Sequence, residues 1–71
     1  MATFHIDYSE AFNAAVHLAR SLQREVGLEA FKEYNTRGYR VFQLPKPELR
    51  FGFELRCQVV GPTEPLMMKK D

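Results

Sequence analysis

The chain begins with an alternation of apolar and polar residues that gives way to an apolar stripe of helical period. Phe4, Ile6 and Tyr8 alternate with polar neighbours, which is typical of a short half-buried strand. Further on, the apolar positions recur at steps of three and four along one helix face: Phe12, Ala15, Val16, Ala19, Leu22 and Val26. The pattern predicts one long amphipathic helix, with Ser9 as its N-cap and Gly27 directly after its last turn.

Residues 28–34 fit two descriptions. Their apolar positions follow a step of three, and their Leu, Glu, Ala and Lys content favours a second short helix. The alternative is a hairpin in which residues 29–34 pair with 39–44 and Glu33 lies opposite Arg40. The helix is the preferred prediction.

Residues 39–44 and 49–60 are rich in β-branched and aromatic residues and are separated by a loop with two prolines, which predicts a second hairpin. If Leu44 and Leu49 face each other, Phe42 faces Phe51 and Arg40 faces Phe53. One face is then almost wholly apolar and packs under the helix: Phe42, Leu44, Leu49, Phe51, Phe53, Leu55, Cys57 and Val59. The other face points outward and is mixed: Tyr39, Val41, Gln43, Arg50, Gly52, Glu54, Arg56 and Gln58.

These elements predict an α+β fold in which an antiparallel sheet, made of the N-terminal strand and the C-terminal β-hairpin, packs on one long helix in the order β-α-(α)-β-β. Residues 1–60 form a single α+β domain. Residues 61–71 contain glycine and prolines without periodicity and are expected to be an extended or flexible C-terminal tail.

The segment Arg50-Phe51-Gly52-Phe53 is similar to part of the RNA-recognition motif signature, in which a basic residue and a glycine precede an aromatic, a small and a second aromatic residue. The flanking positions depart from that signature. Arg50 stands where glycine belongs, and Glu54 and Arg56 replace the residues that would pack beneath the sheet. The chain is therefore not assigned to that family, and the two phenylalanines are interpreted as core residues.

Composition and charge restrict the class of protein. The chain has 71 residues, of which 45% are hydrophobic and 27% charged, as in ordinary globular domains. Ten basic and nine acidic residues give a net charge of +1, so no global field attracts nucleic acid or an anionic membrane. The first ten residues lack the basic and apolar regions of a signal peptide, and no apolar run reaches the length of a membrane span. We expect a cytoplasmic protein that does not bind membranes.

Candidate catalytic and metal-binding residues are few. His5, Asp7 and His17 do not follow the spacing of a known zinc or iron site. Cys57 is the single cysteine and falls on the apolar face of the predicted hairpin, where a thiol behaves as a small hydrophobe. We therefore expect no enzymatic activity, no cofactor, no metal and no small-molecule substrate.

The function that the sequence favours is binding to another protein. Aromatic and arginine side chains on one surface are the composition of interface hot spots, and the predicted outward face supplies them. The candidate partner-binding residues are Arg37, Tyr39, Val41, Arg50, Gly52 and Arg56. A chain this short buries little surface on its own, so a homodimer is expected as well. Size alone suggests an accessory regulator or stoichiometric inhibitor of a larger complex, as among phage-encoded inhibitors.

The alternative function is nucleic-acid binding through a basic β-hairpin. The cations that would contact phosphates are Arg37, Arg40, Lys46, Arg50 and Arg56. Glu48 and Glu54 lie among them and the net charge is close to zero, so this interpretation ranks second.

Overall fold

The computed structural model describes residues 3–44 and 57–68. One helix packs on a four-stranded antiparallel sheet whose strand order is β1-β3-β2-β4. The fold is α+β, as predicted, but the sheet has four strands rather than one strand and a hairpin. The elements are β1 (Thr3–His5), α1 (Tyr8–Leu22), β2 (Val26–Glu33), β3 (Thr36–Gln43) and β4 (Gln58–Val60).

Helix α1 begins earlier than the sequence pattern predicted. Asp7 is the N-cap, with extended backbone angles, and its carboxylate accepts a hydrogen bond from the Glu10 N–H at 3.3 Å. The predicted N-cap, Ser9, lies inside the first turn and donates its hydroxyl to Asp7. The prediction was wrong because Tyr8 belongs to the helix, where its ring lies 6.2 Å from that of Phe12 one turn later.

The end of α1 also differs from the prediction. The helix ends at Leu22 because Gln23 adopts a left-handed backbone with φ of 58°, and the Arg24 N–H donates to the Ala19 carbonyl at 3.1 Å. Val26 and Gly27, predicted to belong to the end of the helix, lie in β2. Val26 therefore reaches the core from the sheet.

Strand β2 occupies the segment for which a second helix was preferred. It forms a hairpin with β3, as the alternative prediction proposed, but the two strands pair in a different register. Glu33 lies opposite Thr36, and Arg40 lies opposite Glu29. The eight-residue ladder with β3 and the edge-to-face contact of Phe31 with Phe4, at 6.4 Å, outweigh the local preference for helix.

The core lies between α1 and the sheet. The alanines on the buried helix face allow the helix backbone to approach the sheet closely, and branched side chains from three strands fill the remaining space. The buried cluster consists of Ala11, Phe12, Ala15, Val16 and Ala19 from α1 and Val26, Leu28, Val41 and Val60 from the sheet.

The two faces of β3 are the reverse of the prediction. Val41 is 1% exposed and belongs to the cluster beneath α1, whereas Arg40 and Phe42 point to the opposite face. In the sheet Arg40 lies between Phe4 and Glu29, and its predicted partner Phe53 lies outside the described residues. The other predicted partners of β3 fall in 45–56, outside the described residues.

The segment 61–68 lies against α1. Asn13 makes two hydrogen bonds to the backbone of Met67, at 2.9 and 2.7 Å, and Arg20 donates to the carbonyls of Pro62 and Glu64, each at 3.1 Å. Two side chains of the helix thus hold this segment in place by hydrogen bonds to its backbone. Within the described residues, no helix combines the length and apolar character needed to cross a membrane.

Candidate partner-binding site on the β2–β3 hairpin

The distal part of the β2–β3 hairpin is the most exposed part of the described sheet. From Ala30 to Arg37 every residue is exposed except Phe31, which is half-buried. We call residues 30–37 the hairpin arm. Its side chains divide between two faces, since neighbours along a strand point in opposite directions.

The turn at the end of the hairpin arm has an unusual residue in its first position. Tyr34 and Asn35 both have positive φ, 47° and 68°, as a two-residue type I′ turn requires. Asparagine adopts this conformation readily, but a bulky tyrosine rarely does. The Tyr34 side chain is 93% exposed, and within the described residues no hydrogen bond or ring contact compensates the backbone strain.

Replacing Tyr34 with asparagine should stabilise the fold. We expect Tyr34→Asn to raise the free energy of unfolding by about 0.5–1 kcal/mol, because asparagine tolerates the left-handed backbone of this turn better. Urea unfolding followed by circular dichroism measures the change. Tyr34→Phe is the matched control and should leave stability unaltered; a Tyr34→Asn variant less stable than the wild type would contradict the strain argument.

A cavity of about 490 Å³ opens on the helix-side face of the hairpin arm, beside the segment that connects β1 to α1. Ile6, which is 69% exposed, forms one wall, and Ala30 and Tyr39 contribute further apolar surface. Lys32 and Arg37 also line it. The cavity therefore combines an apolar wall with two cations, and we call it the arm cleft.

The two cations of the arm cleft lie directly opposite each other in the β2–β3 ladder. Like charges at opposing positions repel, because the Cβ atoms of such a pair are about 5 Å apart. Within the described residues, neither Lys32 nor Arg37 has an acidic partner. Glu29 and Glu33 alternate with Lys32 along β2 and so belong to the opposite face of the hairpin. The described hairpin arm thus carries two cations on one face and the carboxylate of Glu33 on the other, where Glu29 is paired with Arg40 just outside the arm.

Arg40, a predicted phosphate-binding residue, is engaged within the fold. It forms an ion pair with Glu29, and its guanidinium carbon lies 4.4 Å from the ring centroid of Phe31 and 5.2 Å from that of Phe42. Its Nε is buried without a hydrogen-bond partner. Contact with a phosphate would require Arg40 to leave these partners.

Of the predicted partner-binding residues, Arg37, Tyr39 and Val41 belong to the described part of the chain, and Arg37 and Tyr39 both line the arm cleft. Arg37 is exposed on the hairpin arm. Tyr39 is half-buried, with its ring 5.2 Å from that of Tyr8, and Val41 is in the core, so their assignment to an outward face was wrong. The remaining predicted residues, for protein or nucleic acid, lie outside the described residues: Lys46, Arg50, Gly52 and Arg56.

The other candidate chemical groups are dispersed. His5 and His17 line an apolar cavity of about 380 Å³ between β1 and α1, and the His5 Nε2 is 3.0 Å from the Thr3 hydroxyl oxygen. Cys57 is half-buried beside a cavity that also contains Tyr8. Across residues 3–44 and 57–68, no three His, Cys, Asp or Glu residues are grouped as metal ligands would be.

In comparisons with known proteins, no family model, curated protein or solved structure matches this chain.

Ile6 and Lys32 were not predicted as site residues, and Tyr34 was considered only as an extension of the patch around Tyr39. Lys32 and Tyr34 were assigned to the preferred helix, in which Lys32 has no cross-strand neighbour and Tyr34 is not in a turn. Ile6 was taken as a half-buried strand residue. Asn35 was the residue in the sequence that could have indicated the hairpin turn, because asparagine favours positive φ in tight hairpin turns.

Proposed function

We propose that this protein is a small, non-enzymatic protein-binding module that contacts a larger partner through the hairpin arm and acts as its regulator or stoichiometric inhibitor. The observation that carries the proposal is Tyr34, an aromatic residue that is 93% exposed in a backbone conformation unfavourable for it. Strained residues are retained where function needs them, and an exposed strained aromatic at the end of a hairpin suits contact with another molecule.

The chemistry of Tyr34 favours a protein as the partner. Tyrosine is enriched at binding hot spots because it buries a large, rigid surface and adds one hydroxyl for hydrogen bonding. The short turn fixes the Tyr34 backbone, so less backbone entropy is lost when the residue binds. Arg37, from the predicted partner-binding set, lies on the same arm and adds a charged residue of the type found in hot spots.

Site-specific photocrosslinking tests this proposal. A benzophenone amino acid in place of Tyr34 should form an adduct with one host protein in cells, whereas the same group in place of Ser21 should not. Ser21 is also exposed but belongs to α1. Treatment with nuclease before electrophoresis identifies any adduct with nucleic acid.

The adduct mass separates the outcomes. A single new band heavier than twice the chain mass supports a larger partner, whereas a band of twice the chain mass supports the homodimer that the sequence predicts. A nuclease-sensitive adduct supports nucleic-acid binding and contradicts the proposal. Equal adduct yields at the two positions would also contradict it, because the arm would then have no preferred partner.

A further inference from the structure

We infer that the arm cleft binds an acidic, partly apolar peptide segment of the partner, with a carboxylate between Lys32 and Arg37. The inference rests on the proposed function and names the chemistry of the partner. Its basis is one concavity in which an apolar wall lies beside two cations that have no acidic partner in residues 3–44 and 57–68.

The charge arrangement selects an anion. Lys32 and Arg37 repel each other across the ladder, and an acidic residue at either position would have given an attractive pair instead. A carboxylate bound between the two side chains attracts both and offsets their mutual repulsion. The affinity gained is thus larger than one surface ion pair supplies.

The apolar wall selects the rest of the ligand. Ile6 is 69% exposed just before the N-cap of α1, and Tyr39 and Ala30 line the same cavity. A free inorganic anion would leave this surface exposed to water. An aliphatic side chain next to the carboxylate would cover it, which a peptide with alternating acidic and apolar residues provides.

The same charges disfavour nucleic acid at this site. Binding to a polyanion strengthens with each phosphate neutralised, and the described lining of the arm cleft contains two cations. Glu33 on the reverse face of this two-stranded ribbon would repel a strand that wraps around it, and Glu29 on that face is already paired with Arg40. Arg40 is held by Glu29 and two aromatic rings.

The test is an NMR titration of the full chain with a blocked hexapeptide of four glutamates and two leucines, up to millimolar concentration. We expect shifts of the amides of Ile6, Lys32 and Gly38, and binding at least tenfold weaker when glutamine replaces every glutamate in the peptide. The Lys32→Glu/Arg37→Glu variant should lose the shifts. Lys69→Glu/Lys70→Glu changes the net charge equally and is the matched control, which should bind as the wild type does.

The single substitution Lys32→Glu separates binding from folding. It replaces a repulsive pair by an attractive one, so peptide affinity should fall at least tenfold while the melting temperature does not decrease. Absence of amide shifts with the peptide, or shifts unchanged in the double variant, would overturn the inference. Single-stranded DNA of fifteen nucleotides that binds the same amides more tightly than the peptide would also overturn it.

Failure of this inference and failure of the proposed function are distinguishable. If crosslinking from position 34 persists at full yield in the Lys32→Glu/Arg37→Glu variant, the hairpin arm binds a protein but the arm cleft is not its acidic-peptide site. If position 34 gives no specific adduct, the proposed function itself fails.

Discussion

Replacing Gly38 with alanine is expected to lower the free energy of unfolding by about 2–3 kcal/mol. A Cβ atom at this position would lie 2.5 Å from the His5 carbonyl oxygen and 2.5 Å from a ring carbon of Phe4. The carbonyl is backbone of β1, whose ladder with β3 pairs His5 with Tyr39, the next residue after Gly38. It cannot move away without disrupting that ladder.

Thermal unfolding followed by circular dichroism measures this effect, and we expect the melting temperature of Gly38→Ala to fall by about 10–20 °C. Gly61→Ala is the control, because the nearest atom to its new Cβ, in Glu25, would be 4.0 Å away. Gly27→Ala should be intermediate, since its Cβ would meet the side chains of Phe42 and Leu44, which can shift. Equal melting temperatures for Gly38→Ala and Gly61→Ala would contradict the close approach.

The sequence was sufficient to predict the fold class and the buried face of α1. Phe12, Val16 and the alanines between and after them recur with the helical period, and that period survives in the structure because one helix face covers the sheet. The ends of the helix were not predictable from the same pattern. Val26 continues the helical spacing by coincidence, and its side chain reaches the core from β2 instead.

The hairpin arm was harder to predict because its structure depends on distant residues. Local preference within residues 28–34 favours helix, whereas the strand is stabilised by pairing with β3 and by the contact of Phe31 with Phe4, which is remote in sequence. Because this segment was predicted to be a helix, the cross-strand pairing of Lys32 with Arg37 was not predicted. Arg37 was still identified as a site residue, because an arginine beside an aromatic residue is the composition of interface hot spots.

The faces of β3 could not be chosen from alternation alone. The strand has apolar residues on both faces, Tyr39 and Val41 on one and Phe42 on the other, followed by Leu44. Choosing the Phe42 face for the helix required the Leu44–Leu49 pairing, which the sequence only suggested. In the structure β1 and β2 flank β3, and the smaller Val41 fits beneath the alanine-rich helix face.

Replacing Val41 with aspartate therefore should unfold most of the protein. We expect a loss of about 4 kcal/mol or more in the free energy of unfolding, because an unpaired carboxylate would be placed in the core. A chain of this length has a total stability of about 4–10 kcal/mol. The helix signal in circular dichroism at 25 °C and the dispersion of the amide NMR spectrum measure the change.

Gln43→Asp is the matched control on the same face of β3. Gln43 is exposed and accepts a hydrogen bond from the Arg24 guanidinium at 2.9 Å, which aspartate can replace with an ion pair. Its effect should stay within about 0.5 kcal/mol. A folded, stable Val41→Asp variant would instead support the outward face that the sequence suggested. If Val41→Asp unfolds, its loss of partner binding reflects loss of the fold, and only variants of the hairpin arm that remain folded report on the interface.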